Sequence, residues 1–171
     1  QYYQFNRPRT LLSSLGLGTM GYGMGAANGA QCAFPNRPVA MITGDGSFHM
    51  NFQEFATAVT EQLPIVVILD NNSVLGMVRQ WQSLFFGNRY SQTTPFRRTD
   101  YVKLAEALGG RGYQITRNED IRPVLQNAYL TARTEKRPCI VECRVDPNEY
   151  VFPIIPPGGT GKDMIYATED E

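Results

Sequence analysis

Apolar residues in this chain follow two rhythms. Val39-Ala40-Met41-Ile42-Thr43 and Ile65-Val66-Val67-Ile68-Leu69 are short runs rich in β-branched residues, the pattern of buried strands. The second run is apolar throughout, as expected for a strand covered on both faces. Between them Phe52, Phe55, Ala56 and Val59 fall at i, i+3, i+4 and i+7, one face of an amphipathic helix. Helical spacing returns at Val78, Trp81, Leu84 and Phe85, at Tyr101, Leu104, Ala105 and Leu108, and at Ile121, Val124, Leu125 and Ala128. Gly109-Gly110 end the helix of Tyr101, and Asn118 or Asp120 is placed to cap the next, with Pro123 in its first turn. The small residues of 24–33 suit a helix packed tightly on a sheet. Short strands are expected at 112–116 and 139–145, and another at Leu11-Leu12. Strands alternating with helices argue a three-layer α/β/α fold with a mostly parallel sheet. The expected division is a domain over 1–149 and a mobile tail over 150–171, where Pro153, Pro156, Pro157, Gly158 and Gly159 preclude regular structure.

The two apolar runs end on polar words. The first runs into Gly44-Asp45-Gly46-Ser47-Phe48, the second into Asp70-Asn71-Asn72. Asp45 and Asn72 stand 27 positions apart, a spacing that one βαβ unit closes at the carboxyl edge of a parallel sheet, where open α/β folds bind ligands. Mg²⁺ takes oxygen ligands and prefers few carboxylates plus substrate phosphates. Asp45 supplies a charge, Asn72 an amide oxygen, and the Val74 carbonyl a third oxygen. Gly44 and Gly46 let the backbone approach a phosphate closely. Ser47 and the amides that open the following helix point donors at the same anion. The alternative is that Gly-Asp-Gly is only a tight turn. The strand before it, the helix after it and the Asn pair ending the next strand favour a diphosphate held through a divalent ion.

Composition adds exclusions. The chain has 171 residues, long enough for a sizeable core, with 42% hydrophobic and 19% charged residues. Its formal net charge is zero, so nothing recommends nucleic acid or an anionic membrane as partner. Charges are mixed, apart from a short acidic end, Glu169-Asp170-Glu171, and the pair Arg97-Arg98, read as a solvated or interface patch. No apolar run approaches the roughly 20 residues of a membrane span. The opening at Gln1 reads as an excised domain. Cys32, Cys139 and Cys143 lack metal-ligand spacing, and the last two share a strand face. Sparse, unpaired cysteines fit a reducing compartment, and a cytoplasmic location is expected.

The words Leu17-Gly18-Thr19-Met20-Gly21-Tyr22-Gly23, GDGSFHMNFQEFATAV, NNSVLGMVRQWQ and VFPIIPPGG resemble the catalytic subunit of acetolactate synthase (acetohydroxyacid synthase), a thiamine-diphosphate-dependent family. The similarity runs over 2–165 here and covers about the last third of that subunit. The chain departs from the family at Leu15, where a glycine is usual, and at Met24-Gly25, where Leu-Pro is common.

The resemblance implies a cofactor site made by Gly18, Met20, Gly44, Asp45, Gly46, Ser47, Asn72, Val74, Leu75, Gly76 and Met77. Met20 would lie under the aminopyrimidine ring, and Asp45, Asn72 and Val74 would bind Mg²⁺. Met77 and Trp81 would face substrate, Trp81 favouring the larger 2-keto acid; the alternative for Trp81 is a core anchor. The implied reaction decarboxylates pyruvate and joins the remainder to pyruvate or 2-ketobutyrate, in branched-chain amino-acid biosynthesis. The implied assembly is a homodimer or tetramer of catalytic subunits with a possible regulatory subunit. FAD would bind a middle domain that this chain lacks. The activating glutamate would come from a partner subunit, so no catalytic residue is expected within the chain and the chain alone is expected to be inactive. His49, beside the Gly-Asp-Gly word, is read as a polar neighbour of the site and not a base. The alternatives are another thiamine-diphosphate-dependent decarboxylase, pyruvate oxidase or glyoxylate carboligase. Less favoured are a flavodoxin-like binding module and a Mg²⁺-dependent receiver, whose cluster of acids is missing.

Overall fold

The computed structural model describes residues 3–95 and 98–167. Arg97 and the acidic end Glu169-Asp170-Glu171 lie outside the described residues. The chain forms two compact units, one of residues 1–71 and 98–144, the other of 72–97 and 145–171.

The first unit carries a four-stranded parallel sheet: β1 (Val39–Gly44), β2 (Ile65–Asn71), β3 (Arg111–Ile115) and β4 (Cys139–Arg144), in the order β1-β2-β4-β3. Its helices are α1 (Tyr22–Ala33), α2 (Asp45–Asn51), α3 (Glu54–Thr60), α5 (Tyr101–Ala107) and α6 (Ile121–Glu135); α4 (Gly76–Phe85) belongs to the second unit. The period of two along each strand separates two cores. Ile65, Val67 and Leu69 of β2 and Ile140 of β4 pack with Met24, Phe48, Phe55 and Tyr101, from α1, α2, α3 and α5. Val66, Cys139 and Val141 pack on the opposite face with Ala128 and Ala132 of α6. The unit is therefore three-layered, with four helices on one face and one on the other.

That imbalance overturns one expectation. β1 is apolar on both faces, yet only Met41 and Thr43 are buried, and Ile42 is 69% exposed. The single helix α6 lies against β2, β3 and β4 and leaves the edge strand open. Leu11-Leu12 forms no strand; both side chains are exposed. The one helix expected after Gly-Asp-Gly is two, α2 and α3. The backbone stays right-handed at Phe52 and Gln53 but switches to i→i−3 bonding there, Phe55 N to Phe52 O and Ala56 N to Gln53 O. Asp120 occupies the N-cap position of α6 without capping it; its carboxylate accepts from Arg117 Nε and Nη2 instead.

In the second unit the apolar stripe of α4 is not its anchor. The residue buried there is Gln80, which donates Nε2 to Val151 O and accepts from Val151 N, both at 3.0 Å. This pairing of an amide side chain with a peptide group pins the C-terminal segment to α4. The described part of the Pro/Gly-rich segment holds one antiparallel bridge, Ile154 with Ile165, and one 3₁₀ turn, Gly161–Asp163. Thr160 and Asp163 close that turn as a capping box, and the Thr160 donors hold the Asp163 carboxyl below the usual range.

Close packing of α5 on β3 depends on Gly112, where a methyl group would lie 2.5 Å from the Val102 backbone. Gly112→Ala is therefore expected to destabilise the fold by about 1–3 kcal/mol or more in denaturant unfolding. Gly25→Ala, at an open position inside α1, is expected to be neutral or to stabilise by roughly 0.5–1 kcal/mol.

Candidate functional site

Parallel pairing of β1 with β2 in register, Gly44 opposite Asp70, brings both strand ends to the carboxyl edge of the sheet. Asp45 opens α2 and is 2% exposed. Gly44 before it is extended, φ −76° and ψ 158°, so the chain turns from strand to helix within one residue. Gly46 is buried in the first turn of α2.

Helix α2 also organises the Met20 loop. Ser47 Oγ accepts a hydrogen bond from Gly21 N at 3.0 Å, and Asn51 Nδ2 donates to Gly21 O at 3.4 Å. Both polar groups of Gly21 are thus held by α2. Ser47 is thus a strut for the loop, and in accepting from Gly21 it keeps its own O–H for donation. Gly18 sits at φ +58° in a turn in which its N–H and that of Leu17 donate to Ser14 O. Met20 is 46% exposed on the α1 side of that turn. Gly21 was not singled out in the sequence, because a run so dense in glycine does not mark which one is clamped.

The second unit supplies the other candidates. Asn72 opens a tight turn, its Oδ1 accepting from Val74 N at 3.1 Å, with Ser73 at φ +59°. Val74 is buried, and Leu75 N donates to Thr93 O at 2.8 Å. Gly76 begins α4 under the Asn72 amide, where a methyl group would lie 2.8 Å from Asn72 Nδ2. Met77 and Trp81 come together, with Val78, Gln82, Phe86 and Arg89, around a cavity of about 510 Å³. Trp81 is 37% exposed and meets Phe85 edge-on at 5.6 Å. It lines a cavity and does not anchor a core.

Asp45 in the first unit is a carboxylate, and Asn72 and the Val74 carbonyl in the second unit are neutral oxygens; each is a ligand type that a hard divalent ion takes, with no cysteine or imidazole among them. Among the described residues no group of three His, Cys, Asp or Glu is placed to hold a metal, so the oxygen set is a sparse one. His49 lies one α2 turn beyond Asp45; its Nε2 is 3.2 Å from Thr99 Oγ1 and its ring meets Phe52 and Tyr101 edge-on.

Two groups near the sheet edge resist ionisation. Burial pushes the Asp70 carboxyl up. Burial, then the charges of Asp70 and Glu142, push the Cys143 thiol up. Deeper in the sheet, burial takes Cys139 up to about 12, with the charge of Glu135 adding to the effect. The thiolate is the reactive form, so at pH 8 only on the order of one Cys139 in ten thousand is ionised. Native protein treated with iodoacetamide at that pH should label exposed Cys32 and spare Cys139 until denatured. Peptide mass spectrometry reads the difference, and native labelling of Cys139 at the Cys32 rate would contradict the burial argument.

The profile of the family described as thiamine pyrophosphate enzyme, C-terminal TPP binding domain, matches residues 1–143. The chain is 44% identical over 165 residues to the acetolactate synthase isozyme 2 large subunit of Escherichia coli K12, covering 96% of this chain and 29% of that protein. It is 41% identical over 170 residues to the isozyme 3 large subunit of the same organism, covering 99% and 29%. It is 44% identical over 171 residues to the large subunit IlvB1 of Mycobacterium tuberculosis, covering 98% and 27%. The chain thus spans under a third of the length of these relatives. Among solved structures, the thiamine diphosphate-dependent 4-hydroxybenzoylformate decarboxylase of Rhodococcus jostii RHA1 superposes with a TM-score of 0.64 at 31% identity, over 75% of this chain and 24% of that one. With the family profile covering most of its length, the chain belongs to the thiamine pyrophosphate enzymes, as their C-terminal TPP-binding domain.

Proposed function

We propose that the chain is the cofactor-binding part of a large subunit of acetolactate synthase, an enzyme that decarboxylates pyruvate and joins the remainder to pyruvate or 2-ketobutyrate. The observation that carries this reading is the identity of 44% across 96% of the chain to one such subunit. It is supported by the coincidence of Met77 and Trp81 on one cavity. Asp45, Asn72 and the Val74 carbonyl would hold Mg²⁺, and Gly44, Gly46 and Ser47 would face the diphosphate. Gly18 and Met20 would support the pyrimidine end, and Leu75, Gly76 and Met77 the reactive end. When bound, thiamine diphosphate supplies the nucleophilic carbon that makes decarboxylation of a 2-keto acid accessible.

The chain's own part is to bind, orient and exclude water. Asp45 would contribute the one carboxylate of the set that holds the metal. The apolar walls of the Met77–Trp81 cavity would shield the reacting carbonyl and prefer a second 2-keto acid with a longer alkyl group. No residue here is assigned to the proton transfer that activates the cofactor. That group, the flavin site and any regulatory subunit would belong to the rest of a cytoplasmic assembly of large subunits.

Calorimetric titration of thiamine diphosphate, with Mg²⁺ and then with chelator, tests the site. Binding should require the metal and be lost in Asp45→Ala. Gly76→Ala should displace the Asn72 amide and weaken binding by about tenfold, the scale found when the support of a metal ligand is disturbed, with the unfolding midpoint nearly unchanged. Binding indifferent to chelator and to both variants would remove Asp45 and Asn72 from the site. The purified chain given pyruvate, cofactor and Mg²⁺ should release no carbon dioxide; release would show that it carries the activating group itself.

A further inference from the structure

Glu142 is a charged side chain in an apolar position. It lies on β4 with 2% of its side chain exposed. It shares a face with Ile140, a member of the larger core, and stands in register with Leu69 on β2 and Gln114 on β3. A carboxylate in such surroundings is tolerated only when its oxygens are satisfied. Three donors satisfy it. Asn71 Nδ2 donates to Oε1 at 2.6 Å, Gln114 Nε2 donates to Oε2 at 2.7 Å, and Arg144 Nε lies 3.0 Å from Oε1. An apolar residue would have continued the Ile140 column without needing any of them.

The bond to Asn71 gives the charge a purpose. Asn71 is the last residue of β2, is 6% exposed, and immediately precedes Asn72. An ionised carboxylate accepts and cannot donate, so only the Nδ2 end of the Asn71 amide can face it. Of the two ways that amide could be turned, one is removed. With its side chain fixed, Asn71 has little freedom in the peptide it passes to Asn72.

We propose that Glu142 is a positioning residue for the diphosphate–metal site. It holds Asn71, and through the chain sets the direction in which β2 hands on to Asn72. The assignment rests on the cofactor reading above. Glu142 acts through Asn71 and is not a catalytic residue.

The competing explanation is a cross-strand tie with no bearing on the ligand. Wild type, Glu142→Gln, Gln114→Ala and the double variant N71D/E142Q separate the two. Each is measured for its thermal midpoint, its affinity for thiamine diphosphate at fixed Mg²⁺, and hydrogen exchange of the amides over 71–74. Glu142→Gln is nearly isosteric but lets the Asn71 amide turn over. It should weaken binding by about tenfold or more and speed exchange over 72–74, with a midpoint shift of no more than a few degrees. The double variant moves the carboxylate to position 71 and the amide to 142, restoring the hydrogen bond with its polarity reversed, and should recover most of the affinity. Gln114→Ala removes the bond on the far side from β2 and should leave affinity within about threefold. Unchanged affinity in Glu142→Gln overturns the proposal, as does a loss that tracks the midpoint equally in Glu142→Gln and Gln114→Ala. Wild-type protein that binds no thiamine diphosphate overturns the reading that residues 44–74 bind the cofactor within this chain, and takes this role with it. Binding that is intact in all four proteins overturns the role alone.

Discussion

Parallel pairing of β1 with β2 is the constraint on which the rest of the structure depends. Six residue pairs in register, from Val39 opposite Ile65 to Gly44 opposite Asp70, make the two strands end together. A slip of one residue would turn Ile65, Val67 and Leu69 away from the larger core and reverse every side chain at the strand end. The register is held by burial on both faces of β2, from the four-helix side and from α6. Once it is fixed, Asp45 and Asn71 emerge at the same edge of the first unit's sheet.

The same edge shows how the fold limits charge. The face that is apolar at Ile140 becomes polar one step later at Gln114, Glu142 and Asn71. Only Glu142 carries charge in that buried cluster, and it is matched by Arg144 at the rim. Burial raises Asp70 and Cys143 nearby and so disfavours further negative charge. A phosphate ligand would meet less repulsion at an edge restrained in this way, because each added carboxylate would repel an anion unless a metal neutralised it.

The strands and most helices were legible in the sequence because apolar periodicity and glycine or proline punctuation are local signals. β2 declared itself by five consecutive apolar residues, and α5 by Tyr101 and Ala105 followed by a double glycine. The Gly-Asp-Gly and Asn-Asn words stood out for the same reason: each comes at the end of an apolar strand, where residue type and position coincide. What could not be read was which side of an apolar element would be covered. Ile42 looks like a core residue, but α6 packs on β2, β3 and β4 and leaves that face of β1 exposed. Burial of a face is decided by where distant helices land, and no local pattern encodes that.

Buried polar residues were the least legible, and for a related reason. Gln80 and Glu142 are among the most deeply buried side chains, although their type predicts exposure. Each is buried because its partners are supplied from far along the chain: Val151 for Gln80, 71 positions away, and Asn71 for Glu142, also 71 positions away. A hydrophobic core residue can accept many neighbours. A buried amide or carboxylate needs particular atoms at hydrogen-bonding distance, so it specifies one arrangement of the segments that meet there. The polar residues that sequence patterning treats as surface are thus the ones that fix how the C-terminal segment sits on α4 and how β2 ends at Asn71.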